Sequence, residues 1–480
     1  MLGGLAADAL ALPPRFPKLL VLVVLEQLRP DHLDAVASQF RPGGLRRLLY
    51  KGSQFPDCRH LASTFSASSV ATLATGAWPS QHGIVAGTWY DPATKKTVSA
   101  SSEALLATTL CEQVAADRRN RVFVVSMDMS LGSLFAGTRQ ARLFWMDQRG
   151  RFATLGETPD WLANFNNVHS IEDARNAKWM AIGARSGAPP LRTLTFDPQH
   201  PQEFLALYKA SPFCQEAQFV FLNELIAREQ IGEGSTFDFV CLLAGSSSLL
   251  GYETGGGSPL MQQMTLQLDR HLEFLLDHLN AVPGENAFNL VLAGAHGAPP
   301  APSPELRPRL AVNGERVAQF VDHTLTVTGA GHVSRYLYPF LYLDSSGFRD
   351  PEPIRVAAGR AALEQAAIAG YYTAGGACST HDGWETRFRN SFHPKRSGDV
   401  MLSYRPEYVE DYGQEQGISY GSLYNYDVRV PLCFYGPQFR AGVFEGPVES
   451  VDLAPTLARA MGVAQPSSAT GRVLAEAFAE

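Results

Sequence analysis

The chain has 480 residues, with 40 Lys and Arg against 47 Asp and Glu, for a formal net charge of −7. Hydrophobic residues make up 45% and charged ones 18%, a globular composition that excludes disordered and collagenous classes. No basic excess exists to neutralise phosphates, which excludes a nucleic-acid partner, and the longest aliphatic run, residues 19–25, falls far short of the ~20 residues that span a bilayer.

In chain order, Met1 to Pro14 are small and apolar, within a first segment of residues 1–17, and Ala9-Leu10-Ala11 has the small-x-small form that ends a signal peptide. A disordered segment or signal remnant is expected there, and with it a periplasmic or secreted location. Six scattered cysteines without a Cys-x-x-Cys pair exclude a zinc ribbon or thioredoxin motif and leave the disulfide state open. Short apolar runs at 19–25, 122–126, 237–243, 288–293, 338–343 and 430–435 predict parallel strands covered on both faces. Residues 260–279 predict a helix, with Met264, Leu268, Leu272, Leu275, Leu276 and Leu279 at three-to-four spacing. Alternating strand and helix predicts an α/β fold with a mostly parallel sheet. Chemistry then belongs just past the strands' carboxyl ends, at Glu26, at 246–248, at Ala295-His296 and before Val430.

Several blocks stand in order along the chain. Glu26 to Asp31 follows the first strand; Ser63-Thr64-Phe65-Ser66 leads into a small-residue run ending at Thr75-Gly76, closed by Trp78-Pro79-Ser80-Gln81-His82-Gly83. Downstream come Pro394-Lys395-Arg396-Ser397-Gly398-Asp399, then Gly421-Ser422 through Asp427-Val428, and Val451-Asp452 before Pro455-Thr456. Together they resemble the alkaline phosphatase superfamily, in its type I phosphodiesterase/nucleotide pyrophosphatase branch and, within that, the zinc-dependent bacterial phosphomonoesterases. The resemblance implies an alkaline-phosphatase-like fold, a central mostly parallel sheet with helices on both faces. One domain is expected over 18–480, with cap insertions near 145–234 and 298–338.

The resemblance also implies two zinc ions about 4 Å apart. One ion's ligand positions fall on Glu26, Ser66, Ala295 and His296, so that an Asp has become Ala. The other ion's fall on Ser248, Tyr252 and Tyr420, poor zinc ligands beside His, Asp and Cys. A phosphate-clamping Lys-x-Arg falls on Asp128 and Ser130, and an Asn near Gly87. The sequence-based expectation is a lost two-zinc centre, no cofactor, and a site that repels a phosphate dianion.

Three former ligands of one metal must converge. Ser66, His296 and Glu26 are therefore expected to form a metal-free nucleophile, base and orienting carboxylate acting on an ester or acyl-type small molecule. Ser66 is expected at or near a helix N-cap. Tyr252, Tyr420, Ser248, Asp128 and Ser130 are the expected substrate-binding residues. The alternatives are a pseudoenzyme that binds a ligand or partner through the old pocket, and a phosphodiesterase or phosphatase keeping one metal on Glu26, Ser66 and His296. His381-Asp382 and Asp322-His323 are expected at the surface, His82 in a structural turn, Lys395-Arg396 in a strand-edge turn, and Asp427 as a brace. Asp269-Arg270 reads as a solvated or inter-helix ion pair.

Overall fold

The computed structural model describes residues 17–138, 140–300, 310–344, 347–380, 383–406, 408–411 and 420–479. The expected signal remnant, except Pro17, and the His381-Asp382 pair lie outside the described residues.

The apolar runs build a ten-stranded sheet. Its main strands are β1 (Leu19–Glu26), β2 (Ser53–Arg59), β3 (Arg121–Ser126), β4 (Arg142–Met146), β5 (Phe152–Thr154), β6 (Asp238–Ala244), β7 (Phe288–His296) and β8 (Arg429–Tyr435). Their order is β2-β8-β7-β1-β6-β3-β4-β5. The five strands from β7 to β4 are parallel, whereas β8, β2 and β5 each pair antiparallel with their inward neighbours.

Every residue of β1 is buried because both faces of the sheet are covered. Leu20, Leu22 and Val24 pack with helix Ser66–Thr75 and helix Leu453–Met461. Leu19, Val21, Val23 and Leu25 face the other way, onto helices Pro212–Arg228 and Pro259–Leu279. The fold is thus the expected alkaline-phosphatase-like α/β architecture.

Two runs depart from expectation: 430–435, expected parallel, forms β8, which is antiparallel to both its neighbours, and 338–343 leaves the central sheet. Phe340–Asp344 joins a separate five-stranded sheet, paired antiparallel with His332–Leu337 and Val400–Tyr404. A tight connection through Tyr338-Pro339 makes a hairpin of the first pair, and helices Gly314–Val327 and Glu352–Leu363 cover this sheet with a core of their own. Apolar content alone does not distinguish such a strand from one in a central sheet.

Candidate active site

Neighbouring strand ends meet at the site. β1 ends in Glu26 and β7 in His296, which pair with each other across an irregularity after Leu25. Gln27 follows at φ 56°, a left-handed backbone that turns the chain sharply away from the sheet. The Ser247 hydroxyl donates to the Glu26 carbonyl at 2.6 Å, tying the next strand's loop to this end of β1.

Three helices complete the setting. Helix α1 (Ser66–Thr75) is made of small residues, nearly all buried, and ends at Gly76 with φ 66°. Phe65 occupies the cap position without a side-chain cap hydrogen bond, so Ser66 is the first helical residue, next to the N-cap as expected. Helix α2 (Met129–Ala136) is capped by Asp128, whose Oδ1 accepts from the Leu131 N–H at 3.0 Å. Helix α3 (Ser246–Thr254) places Ser248 and Tyr252 four residues apart, on one face.

The side chains converge around one nitrogen. His296 Nδ1 lies 2.9 Å from the Gly297 carbonyl, to which it donates, leaving Nε2 unprotonated. Burial holds this imidazole down at about 4, so it is neutral near pH 7. Ser66 Oγ stands 3.3 Å from His296 Nε2 and 2.9 Å from the Tyr420 hydroxyl. With Nε2 as acceptor, Ser66 donates to His296 and accepts from Tyr420. The Tyr420 ring stacks on His296, centroids 4.5 Å apart and planes within 13°.

Glu26 Oε1 lies 3.9 Å from the same Nε2 and is buried without a hydrogen-bond partner. Burial raises the Glu26 carboxyl to about 7; the Ser66 and Ser248 hydroxyls lower it and the Asp128 charge raises it further. Burial likewise raises the Tyr420 hydroxyl.

Above this cluster opens a cavity of about 760 Å³. Ser66, Ser248, Tyr252, Tyr420, Asp128 and Ser130 all line it, so the sequence-derived site residues that face solvent share one space. Gly87 lines it too, with nothing within 4 Å of where a Cβ would stand. The sequence did not single out Phe65, Leu249, Leu337 or Tyr338 as cavity walls. Leu337 and Tyr338 arrive on the second sheet's hairpin, at the edge of the expected 298–338 insertion. No residue of 145–234 lines the cavity; its longest helix, Pro212–Arg228, packs its apolar side under the sheet.

The lesser candidates have structural roles. His82 is buried between the Thr72 hydroxyl (3.1 Å) and the Ile84 N–H (3.0 Å). Arg396 donates to the carbonyls of Gly83 and Ala104 at 2.7 and 2.6 Å. Asp427 accepts from the Ser422 N–H and hydroxyl at 3.1 and 2.6 Å, as a brace should. Asp322 accepts from the Val333 N–H at 2.8 Å. Asp269 is no ion-pair partner of Arg270: it accepts from the N–H groups of Arg41 and Leu45 at 2.8 and 2.7 Å, holding the start of helix Leu45–Lys51.

The family model for "Type I phosphodiesterase / nucleotide pyrophosphatase" matches residues 20–420, and the chain belongs to that family, a phosphodiesterase-like hydrolase branch of the alkaline phosphatase superfamily. Alkaline phosphatase PafA of Elizabethkingia meningoseptica is 24% identical over 544 aligned positions, spanning 99% of this chain and 96% of its own. Alkaline phosphatase PhoV of Synechococcus elongatus is 23% identical over 524, spanning 96% and 92%. A crystal structure of wild type PafA superposes with a TM-score of 0.83 at 22% identity, covering 98% of this chain and all of that one.

These relatives overturn two expectations. Chains named alkaline phosphatases along nearly their whole length point to phosphatase or phosphodiesterase chemistry, not to a metal-independent acyl hydrolase or a pseudoenzyme. The expectation of no cofactor falls with them, because relatives named alkaline phosphatases along nearly the whole chain give no ground for a lost metal centre. The geometry supplies the physical reason. In a serine–histidine–carboxylate relay the carboxylate holds the nitrogen opposite the nucleophile. Here the Gly297 carbonyl does that, and Glu26 and Ser66 both face Nε2.

Such convergence suits a cation. Tetrahedral donors about 2.0 Å from zinc stand roughly 3.3 Å apart, close to the 3.3 and 3.9 Å measured from Nε2. The orphaned Glu26 Oε1 and the neutral, backbone-oriented imidazole are a fitting donor pair. Among the described residues no group of three or more His, Cys, Asp and Glu side chains is arranged to hold a metal; the Ser66 oxygen, 3.3 Å from Nε2, would be the third donor. The adjoining position offers the hydroxyl oxygens of Ser248, Tyr252 and Tyr420, weaker zinc donors than His, Asp or Cys.

Proposed function

We propose that the chain hydrolyses a small-molecule phosphoester with Ser66 as nucleophile. The observation that carries this reading is the convergence of Ser66 Oγ and Glu26 Oε1 on His296 Nε2, at the start of α1 and beneath the cavity. Ser66 Oγ attacks phosphorus as the bond to the departing alcohol breaks, the serine's proton ending on that alcohol; water then attacks the same phosphorus, breaking the bond to Oγ, which frees the phosphoryl product and returns the hydroxyl to Ser66. The first N–H groups of α1 have no intrahelical acceptor and favour an anion. Tyr420 and Ser248 add hydroxyl donors for phosphoryl oxygens. His296 keeps its lone pair on Nε2 because Gly297 holds the proton on Nδ1. A divalent cation held by Glu26, His296 and Ser66 would lower the serine hydroxyl's pKa and draw phosphoryl charge.

The hairpin carrying Leu337 and Tyr338 acts as the cap that sets substrate choice, and the protein works in the periplasm or outside the cell. Release of p-nitrophenol from p-nitrophenyl phosphate and from bis(p-nitrophenyl) phosphate, with zinc supplied, tests the reading. Mass spectrometry of acid-quenched protein should find phosphate on Ser66. Turnover that survives in Ser66→Ala would overturn it.

A further inference from the structure

The segment 145–234, expected beside the catalytic cavity, builds a cleft of its own. Strands Lys178–Trp179 and Arg192–Thr193 pair antiparallel, and the loop between them is fastened to helix Pro259–Leu279, the Ile182 N–H donating to Gln263 Oε1 at 2.8 Å. Gln267, Arg270 and His271 follow Gln263 at three-to-four spacing, so they share its face of that helix. The loop, this face and the start of helix Pro212–Arg228 enclose about 450 Å³. No residue lining this space lines the catalytic cavity.

The cleft is cationic in an acidic chain. Lys178, Arg185 and Arg270 line it against the single carboxylate of Glu216, and among the described residues none of the three cations has a carboxylate partner. Two buried ring nitrogens also stand unpaired. Trp179 lines the cleft at 1% exposure with no acceptor for its Nε1–H, and His271 Nε2 is buried without a partner as well. An indole nitrogen can only donate, and burying it unpaired is unfavourable. Helix Pro212–Arg228 begins at the same space. Its cap residue Ser211 makes no side-chain capping bond, the hydroxyl donating instead to the Tyr208 carbonyl at 2.6 Å. The first N–H groups of a helix left open in this way favour an anion. Met180, Ile182 and Phe213 give the cleft an apolar side.

The volume lies in the range that holds a small organic ligand. Three cations against one carboxylate match a dianion, and the apolar side suits a hydrocarbon or aryl body. We propose that this cleft is a second binding site, for small organic phosphates and phosphonates as dianions, with Arg185, Arg270 and the Trp179 N–H holding the charged end. The site does not depend on the phosphoester hydrolysis proposed above.

Calorimetric titration of the full chain with phenylphosphonate, a dianion at alkaline pH with no ester bond to hydrolyse, tests this site. Arg185→Gln combined with Arg270→Gln should weaken one class of binding by about tenfold or more, with turnover of p-nitrophenyl phosphate unchanged. Arg270→Lys alone keeps the charge without the fork and should lose less. Trp179→Phe keeps an aromatic ring, deletes the donor and should weaken the same class severalfold. Benzoate carries the same ring with one charge and should bind at least about tenfold more weakly than phenylphosphonate. The proposal is overturned by an isotherm that the double variant leaves unchanged, by benzoate binding as tightly, or by no binding at all. Absence of p-nitrophenyl phosphate turnover in the wild type overturns the hydrolase reading alone.

Discussion

Glu26 and His296 close neighbouring strands of the central sheet and face each other with Oε1 3.9 Å from Nε2. The distance is too long for a hydrogen bond, and Ser66 Oγ stands on the same side of the ring. Because Gly297 occupies the ring's other nitrogen, the carboxylate does not orient the imidazole. Both side chains present acceptor atoms to a common point, and the predictions follow from what that point would hold.

Metal binding comes first. Purified protein dialysed against a chelator and returned to zinc should bind about one ion per chain, read by plasma mass spectrometry. His296→Ala and Glu26→Gln should each weaken that binding by at least about tenfold, taking one donor from a small set. Equal zinc retention by both variants would place the metal elsewhere.

Ser66→Ala removes the oxygen that meets both His296 and Tyr420. Activity should fall by about three orders of magnitude or more, as when other serine nucleophiles are removed. Stability should change by only about 1 kcal/mol, the loss of two ordinary hydrogen bonds partly offset by a smaller desolvation cost. Chemical denaturation beside steady-state kinetics separates the two effects.

Tyr420→Phe keeps the ring stacked on His296 and deletes only the hydroxyl. Turnover should drop about a hundredfold to a thousandfold, the range for losing one donor to a reacting anion, with KM changed less than kcat. A change in KM alone would make Tyr420 a binding wall only.

A buried carboxyl in the second sheet sets a pH dependence of stability. Glu410 is 7% exposed and accepts from the hydroxyls of Tyr404 and Tyr336. Burial raises it from 4.5 to about 7, so between those values the folded chain holds a proton that the unfolded chain has released. Its contribution is complete below about 4.5, declines as pH rises and is gone above about 7, roughly 3 kcal/mol in all. Asp427, raised to about 7 by burial, slopes the same way. Urea midpoints at pH 5 and pH 8 should therefore differ less in Glu410→Gln than in the wild type. Equal differences would show that Glu410 titrates normally.

Gly251 lies on α3 against the side chain of Gln27, the left-handed residue after Glu26. A methyl group there overlaps the Gln27 amide oxygen, which is buried and without a hydrogen-bond partner. Gly251→Ala should destabilise the fold by about 1–3 kcal/mol, as overpacking does. It should also lower zinc affinity, since the Gln27 it displaces directly follows Glu26. Unchanged affinity would uncouple that turn from the site.

Much of the fold was legible because burial on both faces demands an unbroken apolar run. Residues 19–25, 122–126, 237–243, 288–293 and 430–435 all entered the central sheet. Residues 338–343 carry the same composition yet pair in a hairpin, since strand partners are set by chain connection and not by hydrophobicity. Asp269 read as half of an ion pair, but its acceptors serve the N–H groups of Arg41 and Leu45, more than two hundred residues away in sequence.

By itself the sequence determined which side chains end the strands: Glu26, His296 and, after β6, Ser248. Strand length and apolar content suffice for that, and the motif spacing adds Ser66. Only the tertiary structure decided what those groups can do together. The face of His296 that meets Ser66 and Glu26 depends on a backbone carbonyl at Gly297, and the cavity's aromatic wall depends on a hairpin from a different sheet. Hydrogen-bond direction and the docking of distant segments have no local signature in a chain, so residue types could name the donors but not the centre they share.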